Sequence, residues 1–235
     1  MQRSSDKDQE IGIIDIACLD HKRLRPTLVS TIGSHCEVWR SNKRYEITSE
    51  GEDEVVYTEF VIKRPFTDYS KSEAKLLARH YRQLKDTLDE IIPDALFVIT
   101  KINGRPSLLV LATAINIWFN IANQQNEEEA TKLLCANPKA RIQLARFVRA
   151  AQAWRISDNP RMIDLFGIDN LIMDTNRGIR FLDSFFVYFF EDTFHLIDGS
   201  DEDSELKDKV ELSVKRLLYL EHLLAIVKEH CENQR

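Results

Sequence analysis

Apolar residues follow two different regimes along this chain. Between Pro26 and Ala112 they come in short runs rich in β-branched and aromatic residues, and after Thr113 they recur at spacings of three and four. In the first regime Thr27–Ile32, Cys36–Arg40 and Val55–Lys63 read as strands of an antiparallel meander, with the acidic stretch Ser49–Glu54 as a solvated hairpin loop. Along the third strand Val55, Tyr57, Glu59, Val61 and Lys63 share one face. Val56, Thr58, Phe60 and Ile62 share the other, which is more uniformly apolar and is expected to meet the core. Arg64-Pro65 ends that strand. Before it, residues 1–10 offer nothing to bury, and Ile11–Leu19 is apolar without a period that decides between strand and helix.

A helix capped by Ser70 or Ser72 should run to about Glu90, with Leu77, Tyr81, Leu84 and Leu88 as its apolar stripe. Glu73 falls on that stripe, and a carboxylate there needs a partner of opposite sign such as Lys63. Pro93 breaks the chain before two more strands, Ala95–Ile102 and Ser107–Ala112, joined by a turn at Asn103–Pro106. In the second regime Ile115, Trp118, Phe119 and Ala122 fit one helical face, followed by a polar connection, QQNEEEA. Asn137-Pro138 combines a cap with proline at the first helical position. It opens a helix whose buried stripe is Leu144, Phe147, Val148, Ala151 and Trp154. A loop, Arg161–Asp169, follows. Glu205–Glu229 forms a long closing helix with Leu206, Val210, Leu217, Leu220, Leu224 and Val227 on its apolar side.

Between the last two helices lies NLIMDTNRGIRFLD, Asn170 to Asp183. Two apolar strands flank a polar turn, which predicts a hairpin with Asn170 and Asp183 side by side at its open end. Two oxygen donors so placed can hold a hard cation such as magnesium, although a turn cap and a strand end would use the same residues.

Composition narrows the function classes. The 235 residues are 43% hydrophobic and 30% charged, as in an ordinary globular protein able to bury one large core or two small ones. A net charge of −6 gives no electrostatic footprint for nucleic acid. Cys18, Cys36, Cys135 and Cys231 show neither zinc-ligand spacing nor a disulfide framework, so reduced, cytosolic thiols are expected. No apolar run reaches membrane-spanning length and the polar start lacks a secretory signal, so the expected location is cytoplasmic or a host cytosol.

The element order, three strands, a helix, two strands and then mostly helix with one hairpin, resembles the protein kinase-like superfamily. The resemblance covers roughly residues 27 to 190. It implies a two-lobed fold: an N-terminal extension (1–26), a small antiparallel β-rich lobe with one helix (27–112) and a mostly helical large lobe (113–235). Val61-Ile62-Lys63 is similar to the family's third-strand V-A-I-K, which makes Lys63 the residue that holds ATP phosphates and Glu73 its helix partner. Gly33, Val38 and Val61 then line the nucleotide with Lys63, and Ala112 and Ala114 flank the hinge that reads the adenine edge. Asn170 and Asp183 match the family's two magnesium ligands in identity and spacing.

Three departures qualify the match. In H-R-D-x-x-x-x-N the catalytic aspartate precedes the asparagine by five residues, a place held here by Leu165. Asp164, one residue earlier, becomes the candidate base, and Asp169 a poorer one. TIGSHCEV keeps only Gly33 where the family has a glycine-rich phosphate loop. Asp183-Ser184-Phe185 stands where protein kinases have D-F-G, and the stretch after it is short for a peptide-docking subdomain. The sequence therefore suggests an ATP- and magnesium-dependent phosphotransferase acting on a protein or small-molecule hydroxyl. The alternatives are a pseudokinase that binds nucleotide or a protein partner, and a purely structural α+β domain.

Overall fold

Five β-strands pair into one antiparallel sheet in the first half of the chain. They are β1 (Pro26–Ser30), β2 (Cys36–Ser41), β5 (Phe60–Pro65), β6 (Ala95–Ile102) and β7 (Arg105–Thr113), in the order β1-β2-β5-β7-β6. The computed structural model describes residues 26–31, 36–41, 45–47, 56–102, 105–190 and 201–233. Residues 1–25, Gly33 and the acidic insert Ser49–Glu54 lie outside the described residues. The described residues form an α+β structure with antiparallel sheets and four α-helices, and no helix among them is long and apolar enough to cross a membrane.

The chain divides into two compact units. The first is Met1–Lys75 with Ala95–Ala114, and the second is Leu76–Asp94 with Ile115–Arg235. The division falls inside helix α1 (Lys71–Leu88), and its later boundary follows Ala114 rather than Ala112.

In the first unit the strand expected over Val55–Lys63 is split at Glu59. Val56–Thr58 (β4) pairs with Tyr45–Ile47 (β3) as a separate ribbon, whereas β5 pairs with β2 and β7. Glu59 accounts for the break: its carbonyl accepts the Ala114 amide at 2.8 Å, and its carboxylate takes the guanidinium of Arg40. The buried side of the sheet also differs from expectation. Leu108, Val110 and Ala112 of β7 are buried, and Val110 and Ala112 lie opposite Lys63 and Val61, so burial concentrates on the lysine's face. Small apolar neighbours explain this, because Val38, Val61, Val110 and Ala112 can cover the methylene stem of a lysine.

Helix α1 starts where Ser70 and Glu73 cap it reciprocally, and Leu77, Tyr81, Leu84 and Leu88 are buried as its stripe predicted. In the second unit, α2 (Glu127–Ala136), α3 (Pro138–Arg155) and α4 (Asp201–Asn233) accompany a three-stranded sheet of β11 (Ile179–Phe181), β10 (Leu171–Asp174) and β8 (Ile117–Phe119), in that order, and the pair of β12 (Tyr188–Phe190) with β9 (Arg161–Ile163). Asn137 caps α3 by accepting the Ala140 amide at 3.3 Å. Several segments differ from the sequence expectation. Ile117–Phe119 is strand β8 rather than helix, because Phe119 and Ile117 pair with Met173 and Asp174 on the edge of the hairpin. The connection read as polar runs into the first turn of α2, whose short buried face is Ala130, Thr131 and Leu134.

The predicted hairpin is present as β10 (Leu171–Asp174) and β11 (Ile179–Phe181). Its turn is held by Asp174, which is buried and accepts the Gly178 amide and the Arg180 guanidinium, each at 2.8 Å. Helix α3 fixes it from outside: Gln143 accepts the Ile179 amide at 2.9 Å, and the rings of Phe147 and Phe181 meet at 5.9 Å. Strand β9 (Arg161–Ile163), expected as loop, pairs with β12 (Tyr188–Phe190) and carries the chain directly into Asp164.

Candidate functional site

The second unit gathers Asp164, Asn170 and Asp183 at the open end of the hairpin. The Leu182 amide donates to the Asn170 carbonyl at 2.8 Å, which extends the ladder beyond the Leu171–Phe181 pair and sets Asn170 next to the segment ending in Asp183. Asn170 in turn reaches back along the chain, its Nδ2 donating to the Asp164 carbonyl at 3.2 Å. Asp164 is anchored from the other side by its own amide, which donates to the Val187 carbonyl at 3.0 Å through the β9–β12 pairing.

The open acceptor atoms follow from these bonds. Asn170 uses its amide nitrogen on Asp164, and its Oδ1 accepts no hydrogen bond among the described residues. Asp183 Oδ1 accepts the amides of Ser184 at 2.6 Å and Phe185 at 3.1 Å, an arrangement that fixes the carboxylate, and Oδ2 accepts no hydrogen bond among the described residues. One carboxylate and one amide oxygen suit magnesium, which takes few protein ligands and completes its shell with water and phosphate oxygens. No group of three or more His, Cys, Asp or Glu side chains is placed to hold a metal ion among the described residues, so a site here would rest on that pair and on its ligand's own oxygens.

Asp164 is only 3% exposed. Burial, and then the charge of Asp183, push its carboxyl up to about 7, while the hydrogen bond from the Phe166 amide at 2.7 Å works in the opposite direction. Asp164, not Leu165, is therefore the loop residue in electrostatic contact with the hairpin acid. Leu165 is buried. Asp169 is exposed and accepts a hydrogen bond from Asn120 at 3.0 Å.

Helix α4 supplies two residues that the motif reading missed. Ser213, fully buried, accepts the Leu165 amide at 3.0 Å and donates to the Lys209 carbonyl at 2.8 Å. Arg216 donates to the carbonyls of Leu165, at 2.5 Å, and Phe166, and Lys209 lies 5.6 Å above the Phe166 ring. Together they hold the backbone on the C-terminal side of Asp164. The sequence carried one sign of this, since Ser213 interrupts an apolar stripe at helical spacing between Val210 and Leu217. Tyr81 of α1 belongs to the same neighbourhood. It donates to the Pro93 carbonyl at 2.6 Å, and burial together with the charges of Asp94 and Asp183 raises its phenol far above the usual range.

Gly167 makes room for Asn170. A Cβ at Gly167 would stand 2.4 Å from Asn170 Oδ1, so the amide can occupy its place only because residue 167 has no side chain.

The remaining candidates lie in the first unit. Val38, Lys63 and Val110 form one cross-strand row, and Arg40, Val61 and Ala112 form the next, so the lysine and its expected apolar neighbours do share a face. Ala114 closes that unit through its bond to Glu59, and Gly33 is outside the described residues. Glu73 is exposed and its carboxylate accepts the Ser70 amide at 2.7 Å; hydrogen bonds from the Ser70 side chain and backbone hold it below the usual carboxylate range. That is the role of a capping-box residue. No protein-family model and no curated protein matches this chain.

Proposed function

We propose that this chain is a divergent, kinase-like, ATP-dependent phosphotransferase that acts on a protein or small-molecule hydroxyl in a cytosol. Its two lobes would be a small β-rich one around Lys63 and a helical one around the Asn170–Asp183 hairpin. The observation that carries this proposal is the meeting of Asp164, Asn170 and Asp183 at one end of the hairpin, with an oxygen of Asn170 and one of Asp183 left open. The sheet order, with α1 inserted between β5 and β6, supports it, as does Lys63 among small apolar residues.

Each residue then has a defined task. Asn170 and Asp183 would hold magnesium, which would supply charge neutralisation for the transferring phosphate. Lys63 holds the phosphates against a face completed by Val38, Val61 and Ala112. Asp164 orients the acceptor hydroxyl and takes its proton, and a carboxyl near 7 is well matched to that work at neutral pH. Most of the rate comes from placement and charge stabilisation.

A phosphotransfer or autophosphorylation assay with Mg-ATP tests the assignment. Asp164→Ala should lower the rate at least tenfold, about 1.4 kcal/mol of barrier, and an undiminished rate would show that Asp164 is not the base. A pseudokinase is favoured by two contacts, Asp164 on the Phe166 amide and Glu73 on the Ser70 amide, which give each acid a local structural task. Nucleotide binding without transfer to any protein or small hydroxyl compound would decide for it.

A further inference from the structure

Away from the hairpin, the end of α2 and the last turns of α4 bring two thiols and a guanidinium together. Cys135, one residue before α2 ends, points its Sγ at the Val227 carbonyl of α4 at 3.6 Å. In an α-helix the carbonyl of residue 227 faces the amide of residue 231, so this contact lies directly beneath Cys231, one turn along. Arg141 of α3 donates Nη1 to the Cys231 Sγ at 3.1 Å. Both cysteines are half-buried free thiols, and α2 and α4 are the most extensively packed pair of helices among the described residues.

We propose that Cys135 and Cys231 form a reversible oxidation site that takes a hydroperoxide as its co-substrate and closes to a disulfide between α2 and α4. Arg141 holds its guanidinium against the Cys231 sulfur, which assigns Cys231 as the thiol that attacks first. That sulfur bonds to the nearer peroxide oxygen, the O–O bond breaks, and the leaving oxygen takes a proton to depart as water or an alcohol. Cys231 is then a sulfenic acid. The Cys135 sulfur attacks it next, the S–S bond forms, the S–O bond breaks, and the hydroxide leaves as water with the Cys135 proton. The two electrons lost by the thiols have reduced the peroxide. Cys135 fits the second step by position, with its Sγ on the Val227 carbonyl one helical turn from Cys231.

The test uses the full chain, treated with hydrogen peroxide, alkylated under denaturing conditions and digested with trypsin. Cys135 and Cys231 fall on separate peptides, Leu133–Lys139 and Glu229–Arg235, each with one cysteine. The expected product is those two peptides joined within one chain, lighter by two hydrogens and separated again by dithiothreitol. Arg141→Met should slow its formation several-fold, and Arg141→Lys should retain most of the rate. Oxidation of Cys18 or Cys36 in preference, a link between chains, or a Cys231 that oxidises with Cys135 left unlinked would overturn the proposal. An unchanged rate in Arg141→Met would overturn the role given to the guanidinium.

Discussion

Asn170 donates its side-chain amide to the main-chain carbonyl of Asp164 at 3.2 Å, so one hydrogen bond ties the candidate metal ligand to the candidate base across a loop that holds buried Leu165 and exposed Ile168 and Asp169. Gly167 lies at the centre of that loop, and its missing side chain is what the bond depends on.

Gly167→Ala should therefore separate site geometry from stability. The new methyl group must displace the end of the Asn170 side chain, which costs a hydrogen bond of about 1 kcal/mol. Reduced freedom of the unfolded chain returns roughly 0.4–1 kcal/mol. Urea unfolding should give a midpoint close to wild type, while any magnesium-dependent nucleotide response is strongly weakened. A large loss of stability would mean that backbone, not the Asn170 side chain, has to move.

Stability should also carry the mark of Asp164. Its carboxyl ordinarily titrates at 3.8 and stands at about 7 in the folded chain, so between those values the unfolded chain has lost a proton that the folded chain keeps. Raising pH through that window favours unfolding, and the contribution is complete below the lower value and gone above the upper one. Relative to wild type, Asp164→Asn should gain stability from about pH 4 to pH 7 and then level off. Denaturant midpoints of the two proteins across that range measure the difference, and parallel curves would contradict the buried-acid environment.

The exposed acid at the start of α1 can be assigned by a choice of substitution. A capping box accepts glutamine in place of glutamate, because the side chain needs only to accept the Ser70 amide. Glu73→Gln should keep the melting temperature and any catalytic rate, and Glu73→Ala should lower the melting temperature. Loss of rate in Glu73→Gln at unchanged melting temperature would restore the role of an ionic partner for Lys63.

Local chemistry made the hairpin, α1, α3 and their buried stripes legible in the sequence, since Asn137-Pro138, Ser70 with Glu73, and the polar turn before Gly178 all act on their own neighbours. What stayed hidden depends on distant partners. Ile117–Phe119 is a strand only because Met173 and Asp174 offer it an edge, and Arg161–Ile163 only because Tyr188–Phe190 pairs with it. The polar character of QQNEEEA concealed a helix with a narrow buried face. In the site, residue types and spacing singled out Asn170 and Asp183. The clamp on Leu165 and Phe166 was invisible because Ser213 and Arg216 reach them from α4, almost fifty residues away in sequence.

If Asn170 and Asp183 hold magnesium with a nucleotide, as proposed, a thermal-shift titration with ATP, with and without magnesium, will register it. Wild-type protein should melt higher with Mg-ATP than with ATP alone, and Asp183→Ala and Asn170→Ala should each lose that magnesium-dependent rise while folding normally. No rise in the wild-type protein, or a rise that survives Asp183→Ala, would contradict the account.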